Sequence, residues 1–331
     1  MRNSNRPLVK DSFSSAVNYK LQLELFKESL SFSELRKSFL CSMISEKGFK
    51  RYSKSPLRYA GGKSLAVCKI IERFPNELKK LVSPFFGGGS VEIACANELN
   101  VKVIGYDLFD ILVNYWQIQL KNPVAIYEKL VKIDNTDKVY RKLKEELKKH
   151  WKKEIKLEPL RLATLYYFNH NLSYGPGFLG WMSKIYNEKR KYMNGLEKLK
   201  TFTCPNLKVK KGSFEKTIPK HYESFLYLDP PYYLEGNSKM FRGIYPQRNF
   251  PVHHNNFNHT LLRDLLLKHK GKFVLSYNDC PEVRKLYKGF DIEKVKWQYT
   301  LGQGETRIGL NRVREKRDHI KKSHEILIIK E

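Results

Sequence analysis

Cysteine is scarce in this 331-residue chain. The five cysteines, Cys41, Cys68, Cys95, Cys204 and Cys280, are odd in number and show no paired spacing. That argues against a disulfide scaffold and against a zinc ribbon, and it favours a reducing compartment. No run of about eighteen apolar residues occurs, so no helical membrane span is expected. Met1 to Asp11 is polar and lacks the apolar centre of a secretion signal, which makes the cytoplasm the expected location. Acidic residues are the third shortage: 34 Asp and Glu stand against 62 Lys and Arg, a formal net charge of +28. Such an excess suits a polyanionic partner, and nucleic acid is the natural one. Metal ligands are also thin. His253 and His254 are adjacent, but no cysteine or acidic cluster stands near them, so no metal is expected. What is present suffices for a sizeable core: 41% of the residues are hydrophobic, in a length that fits one large or two ordinary domains.

The chain is organised around Leu226-Tyr227-Leu228-Asp229-Pro230-Pro231-Tyr232-Tyr233. The apolar start reads as a buried strand of a parallel sheet, and the two prolines stop its ladder. Asp229 then falls at the carboxyl end of a strand, where open α/β sheets bind ligands. The Asp229 carboxylate and the Pro230 carbonyl can both accept from an amino group, and Tyr232 can stack on a flat ring. A strand followed by a rigid turn, with no ligand, is the plain alternative.

Pro84-Phe85-Phe86-Gly87-Gly88-Gly89-Ser90 reads as strand, glycine turn and helix, the helix running from about Ser90 to Asn97. Three glycines let a backbone wrap a cofactor at a helix amino end. A second strand, Val101 to Tyr106, ends in Asp107, the position where an acid commonly holds ribose hydroxyls. Upstream, Tyr59-Ala60-Gly61-Gly62-Lys63-Ser64 precedes a helix expected over Ser64 to Phe74. It lacks the earlier glycine and the strand of a phosphate loop, so close backbone approach to a bound molecule is the better use of Gly61 and Gly62.

Helices are expected over Ile111 to Gln119, from Pro123, and over Val139 to Trp151; Leu160 to Asn169 is a buried helix or strand. From Asn169 to Lys191 glycine, aromatic and basic residues mix. Asn169, Tyr174, Trp181, Lys184, Lys189 and Arg190 are candidate nucleic-acid contacts. Leu234 to Asn256, with Arg242 as a further candidate, reads as a long loop. A helix follows from Phe257 to Lys268 and a strand from Lys272 to Tyr277. Trp297 to Leu301 and Glu325 to Ile329 are expected to pair antiparallel at a sheet edge, with a basic loop between them. Residues 1–55 form an extension in which Ser31 marks a helix start.

Taken together and in this order, the motifs Leu57 to Lys63, Pro84 to Ser90, Asp107, Asp229-Pro230-Pro231-Tyr232 and Ser276-Tyr277-Asn278 resemble the Dam-like, alpha-class DNA N6-adenine methyltransferases. The resemblance covers residues 55–331. It implies an α/β, Rossmann-like fold dependent on S-adenosylmethionine, with a mostly helical inserted DNA target-recognition domain. The implied division is residues 56–119 and 216–331 for the catalytic domain and 120–215 for recognition. It implies cofactor contacts at Tyr59, Lys63, Phe86, Asp107 and Asp229, in addition to the glycines 61, 62 and 87–89. Double-stranded DNA is the implied partner of a monomer or weak dimer, together with a possible cognate restriction endonuclease in a bacterial or phage-encoded system. Ser173 to Gly177 departs from the family's asparagine-rich turn, so no recognition sequence is carried over.

The chemistry needs little covalent help, because a sulfonium is a good leaving group; positioning and electrostatics carry it. Asp229 and the Pro230 carbonyl would hold the N6 amine with its lone pair toward the methyl group. Tyr232 would stack on a base flipped from the duplex. Asp-Pro-Pro-Tyr fits any planar amine, so cytosine N4 or RNA remain alternative targets, and a catalytically inactive DNA-binding protein remains an alternative role.

Overall fold

A computed structural model describes residues 30–46, 48–174, 177–184, 187–233, 257–295 and 325–331. Its elements are α1 (Phe32–Met43), β1 (Ile44–Ser45), β2 (Gly48–Phe49), α2 (Val67–Ile71), β3 (Lys80–Ser83), α3 (Ser90–Glu98), β4 (Lys102–Asp107), α4 (Asp110–Lys121), α5 (Pro123–Leu130) and α6 (Asp137–Trp151). They continue with α7 (Pro159–Leu172), α8 (Lys189–Lys200), β5 (Leu207–Lys211), α9 (Phe214–Lys220), β6 (Phe225–Leu228), α10 (His259–Lys268), β7 (Phe273–Asn278), α11 (Pro281–Leu286), β8 (Asp291–Val295) and β9 (Glu325–Lys330).

Among the described residues, seven strands form one sheet in the order β5-β4-β3-β6-β7-β9-β8. The first five run parallel, and β9 enters antiparallel between β7 and β8. The chain order reverses between β3 and β6, which opens a crevice at their carboxyl ends. The strands alternate faces, as a period of two demands. Leu81, Tyr227, Val274 and Leu327 join one buried cluster with α2, α3 and α4. Val82, Leu226, Leu275 and Ile328 join another with α9, α10 and α11. Both faces are therefore covered, which is why the central strands read as unbroken apolar runs.

Several expectations change. The helix expected over Ser64 to Phe74 is the short α2, because 64–66 and 72–74 are turns. Residues 160–169 are helix, and α7 is buried on every side from Leu162 to Leu172. β9 is not at the edge: it pairs with β7 on one side and β8 on the other. Trp297 to Leu301, its expected partner, lies outside the described residues, as do Arg242, the loop 234–256 and residues 1–29. β5 is a full strand of the sheet although it falls inside the range 120–215. Helices α5 to α8 form an outer layer over α4, where Tyr115 of α4 stacks on Tyr167 of α7 at 5.9 Å. In the extension, α1 begins with a capping box between Ser31 and Glu34. It buries Leu35 and Phe39, and its Arg36 donates to the carbonyls of Phe74 and Pro75.

Candidate active site

Asp229 follows β6, and its neighbours are fixed from β7. Asn278 accepts from the Tyr233 amide at 2.9 Å and donates to the Tyr233 carbonyl at 2.8 Å. This two-point clamp holds the Asp-Pro-Pro-Tyr turn against the sheet. Tyr232 is 7% exposed and stacks on Tyr277 at 6.3 Å, while Tyr277 bonds to His259 at the start of α10. Lys63 reaches in from the opposite loop. Its Nζ donates to Asp229 Oδ1 at 2.6 Å and to the Gly61 carbonyl at 3.2 Å, and it lies 5.1 Å over the Tyr232 ring. The side chains of Lys63 and Asp229 are 4% and 22% exposed. Burial raises the Asp229 carboxyl above its ordinary range, and the Lys63 ammonium opposes that rise.

The glycine turn stands beside this pair. Gly87 and Gly89 have φ of 49° and 65°, left-handed values that cost an L side chain but not glycine. Gly89 is the N-cap of α3. A Cβ at Gly88 would meet Tyr59 at 2.5 Å, so the Tyr59 ring is seated directly on the turn. Phe86 lies beneath it, 2% exposed, edge-on to Trp116 at 5.2 Å. Its ring packs between Gly89 and Gly105, where an added Cβ would meet it at 2.4 and 2.2 Å. Asp107 accepts from the Gly87 amide through Oδ2 and from the Phe109 amide through Oδ1, each at 2.9 Å. The acid after the second strand thus also fixes the turn after the first.

The remaining expected residues divide. Tyr174 and Trp181 are 55% and 80% exposed, on two arms of a short hairpin closed by the Tyr174 amide to Trp181 carbonyl bond at 2.6 Å. Lys184, Lys189 and Arg190 are exposed, the last two in the first turn of α8. Asn169 is not a surface group. It is 2% exposed, accepts from the Leu179 amide at 2.7 Å and donates to the Tyr140 hydroxyl at 2.9 Å, so it supports the hairpin from below.

Three features have no forecast in the sequence reading. His170 of α7 stacks between Tyr59 and Tyr166 at 5.7 and 5.1 Å, and burial lowers its pKa to about 3, leaving it neutral. Arg58 donates to the Asn171 carbonyl at 2.7 Å. These two contacts tie the helical layer to the glycine turn. The third is Glu92, 2% exposed behind the turn.

A sheet parallel except for one inserted strand, a glycine turn after its first strand, an acid after the second and Asp-Pro-Pro-Tyr after the fourth define a Rossmann-like methyltransferase. Residues 59–301 match the D12 class N6 adenine-specific DNA methyltransferases. The chain belongs to that family and is a site-specific DNA adenine-N6 methyltransferase; membership implies methylation by S-adenosylmethionine. The type II methyltransferase M.MjaIII of Methanocaldococcus jannaschii is 29% identical over 275 residues, 72% of this chain and 89% of that one. The modification methylase StsI of Streptococcus sanguinis is 26% identical over 256 residues, 69% of this chain and 36% of that longer protein. A precorrin 8w decarboxylase of Methanobacterium thermoautotrophicum, at 8% identity and a TM-score of 0.29 over 80% of this chain and 87% of that one, is too distant to carry an argument.

Proposed function

We propose that the crevice between β3 and β6 holds the methyl donor against Asp229, and that the hairpin at Tyr174 and Trp181 meets the DNA. The observation that carries this reading is the meeting of Asp229, Lys63 and the glycine turn at the sheet's switch point. The residues fit a cationic donor: the Asp229 carboxylate stands beside Lys63, and the Asp107 carboxylate holds the glycine turn. S-adenosylmethionine supplies an activated methyl group, and the chain supplies placement. Gly87 to Gly89 and Asp107 hold the adenosine part, Tyr59 covers the turn, and Gly61 and Gly62 allow close backbone approach. Phe86 shapes the turn from beneath.

Asp229 and the Pro230 carbonyl accept from the N6 amine, which directs its lone pair. Tyr232 takes the face of the flipped adenine, a stacking contact of about 1–3 kcal/mol. Lys63 now lies over that ring, so the amine must share Asp229 with it or displace it. Helices α5 to α8 serve as the recognition layer, a narrower unit than 120–215 because β5 belongs to the sheet. Lys184, Lys189 and Arg190, exposed and just beyond that hairpin in the chain, supply contacts to phosphates, while Arg242 is outside the described residues. The words "type II" and "modification" in the relatives' names support a role as the protective arm of a restriction-modification system.

Turnover with labelled donor on DNA tests the reading. Asp229→Ala should abolish methyl transfer with its urea unfolding still cooperative. Activity near wild type would remove Asp229 from the mechanism.

A further inference from the structure

Behind Asp229 lies a second carboxylate to which the methyl-transfer reading assigns no task. Glu92 stands in the first turn of α3, 2% exposed. Its Oε1 accepts from Ser83 Oγ at 2.6 Å, and Ser83 is itself fully buried at the end of β3. The charges that act on Glu92 are Asp229, from the turn after β6, and Lys63, from the loop before α2. Tyr227 of β6 feels the same three groups, and its hydroxyl lies 3.3 Å from Ser276 Oγ of β7. Cys95, one turn further along α3, feels Glu92. Ser83, Tyr227 and Ser276 thus form a buried polar row under the carboxyl ends of three adjacent strands.

Two carboxylates share one ammonium in this enclosure, and Lys63 is engaged by Asp229 at 2.6 Å. A second negative charge there is costly, since ionised groups resist leaving water without a close counter-ion. Burial accordingly pushes the Glu92 carboxyl up to about 8. The Ser83 and backbone hydrogen bonds hold it down, Asp229 raises it and Lys63 lowers it. A ligand that brings a positive charge to Asp229 removes part of the cost of ionising Glu92.

We infer that Glu92 exchanges a proton against the charge of the methyl donor: it is an acid in the free protein, a carboxylate while a cation lies beside Asp229, and an acid again after transfer. This rests on the reading of Gly87–Gly89 and Asp229 as the cofactor site. The balance is complete. In the transfer the carbon–sulfur bond breaks with its electron pair on sulfur, and the N6 lone pair forms the new nitrogen–carbon bond. The positive charge moves to N6, Asp229 accepts the proton that leaves it, and Glu92 takes up that proton within the cluster. The buried charge is then the same before and after, with a neutral thioether and a protonated Glu92 in place of a sulfonium and a carboxylate. Glu92 acts through Asp229 and is a positioning residue for charge.

The test is calorimetric titration of the full chain at pH 7 in two buffers of different ionisation heat. S-adenosylmethionine and S-adenosylhomocysteine are the two probes. The cationic ligand should release up to about one proton and the neutral one none. Affinity for the cation should rise by up to about tenfold per pH unit and flatten above pH ~8. Glu92→Gln should keep binding and lose both the release and the pH dependence. Equal release with the two ligands, or release that survives in Glu92→Gln, overturns the inference. If the variant does not fold, the wild-type comparison of the two ligands decides. If the wild type binds neither ligand, the cofactor reading falls and the inference with it.

Discussion

Replacing Lys63 with methionine isolates the buried ion pair at the centre of the site. The substitution keeps most of the side-chain volume and removes the ammonium that lies 2.6 Å from Asp229 Oδ1. Removing one member of a buried pair leaves the other uncompensated, at about 3–5 kcal/mol. Asp229 keeps some water, at 22% exposure, so the lower end of that range applies. Burial already raises the Asp229 carboxyl, and Lys63 is the main group holding it down, so the variant's Asp229 should rise further. A carboxyl raised above its unfolded value binds its proton more tightly in the folded state. It costs nothing below the unfolded pKa and destabilises increasingly as pH climbs through the folded one. Urea unfolding should therefore find a penalty near 3 kcal/mol at pH 8.5 and well under half of that at pH 5. The single-turnover pH profile should shift to higher pH as Asp229 becomes harder to ionise. Lys63→Met combined with Asp229→Asn should recover much of the stability, because a pair replaced as a unit leaves no stranded charge. A penalty equal at both pH values, or a double variant no better than the single one, would refute the reasoning.

Asp107→Ala strips the acceptor from the Gly87 and Phe109 amides and should weaken donor binding more than DNA binding; unchanged affinity in calorimetric titration rejects its ribose role. Gly88→Ala places a Cβ 2.5 Å from Tyr59 Cβ, so it should cost about 1–3 kcal/mol in urea unfolding and loosen donor binding through displaced Tyr59. Trp181→Ala, at a side chain 80% exposed, should leave stability within about 0.5 kcal/mol while erasing preference for the cognate site. In the same binding series, Lys189→Ala should lower the salt slope by about one on all sequences. A tryptophan variant with full cognate preference would move recognition elsewhere.

What was legible in the sequence is what local chemistry writes. Asp229 announces itself because an apolar run stops at two prolines, and Gly87 to Gly89 because few other settings need three glycines before a helix. β5 escaped notice because only two inward apolar residues, Leu207 and Val209, mark its alternation with Lys208, Lys210 and Lys211, too few to stand out in a lysine-rich chain. β8 hides similarly, with acids and a lysine around Ile292 and Val295. Neither strand has the composition of a core element; each is an edge, paired on one side. Asn169 and Glu92 misled or escaped for a different reason. A polar residue in an aromatic stretch, or an acid in a first helical turn, ordinarily faces water, and only the packing of α4, α6 and the sheet around them makes both internal. The bond from Arg58 to the Asn171 carbonyl spans chain segments too far apart for any pattern to join.

The most direct measurement is the identity of the methylated nucleoside. DNA incubated with the protein and isotopically labelled S-adenosylmethionine is digested to nucleosides and separated by mass spectrometry. The account predicts label in N6-methyl-2′-deoxyadenosine, confined to one sequence context and absent with Asp229→Ala. Label in N4-methyl-2′-deoxycytidine, label in RNA only, or undiminished product from Asp229→Ala would contradict it.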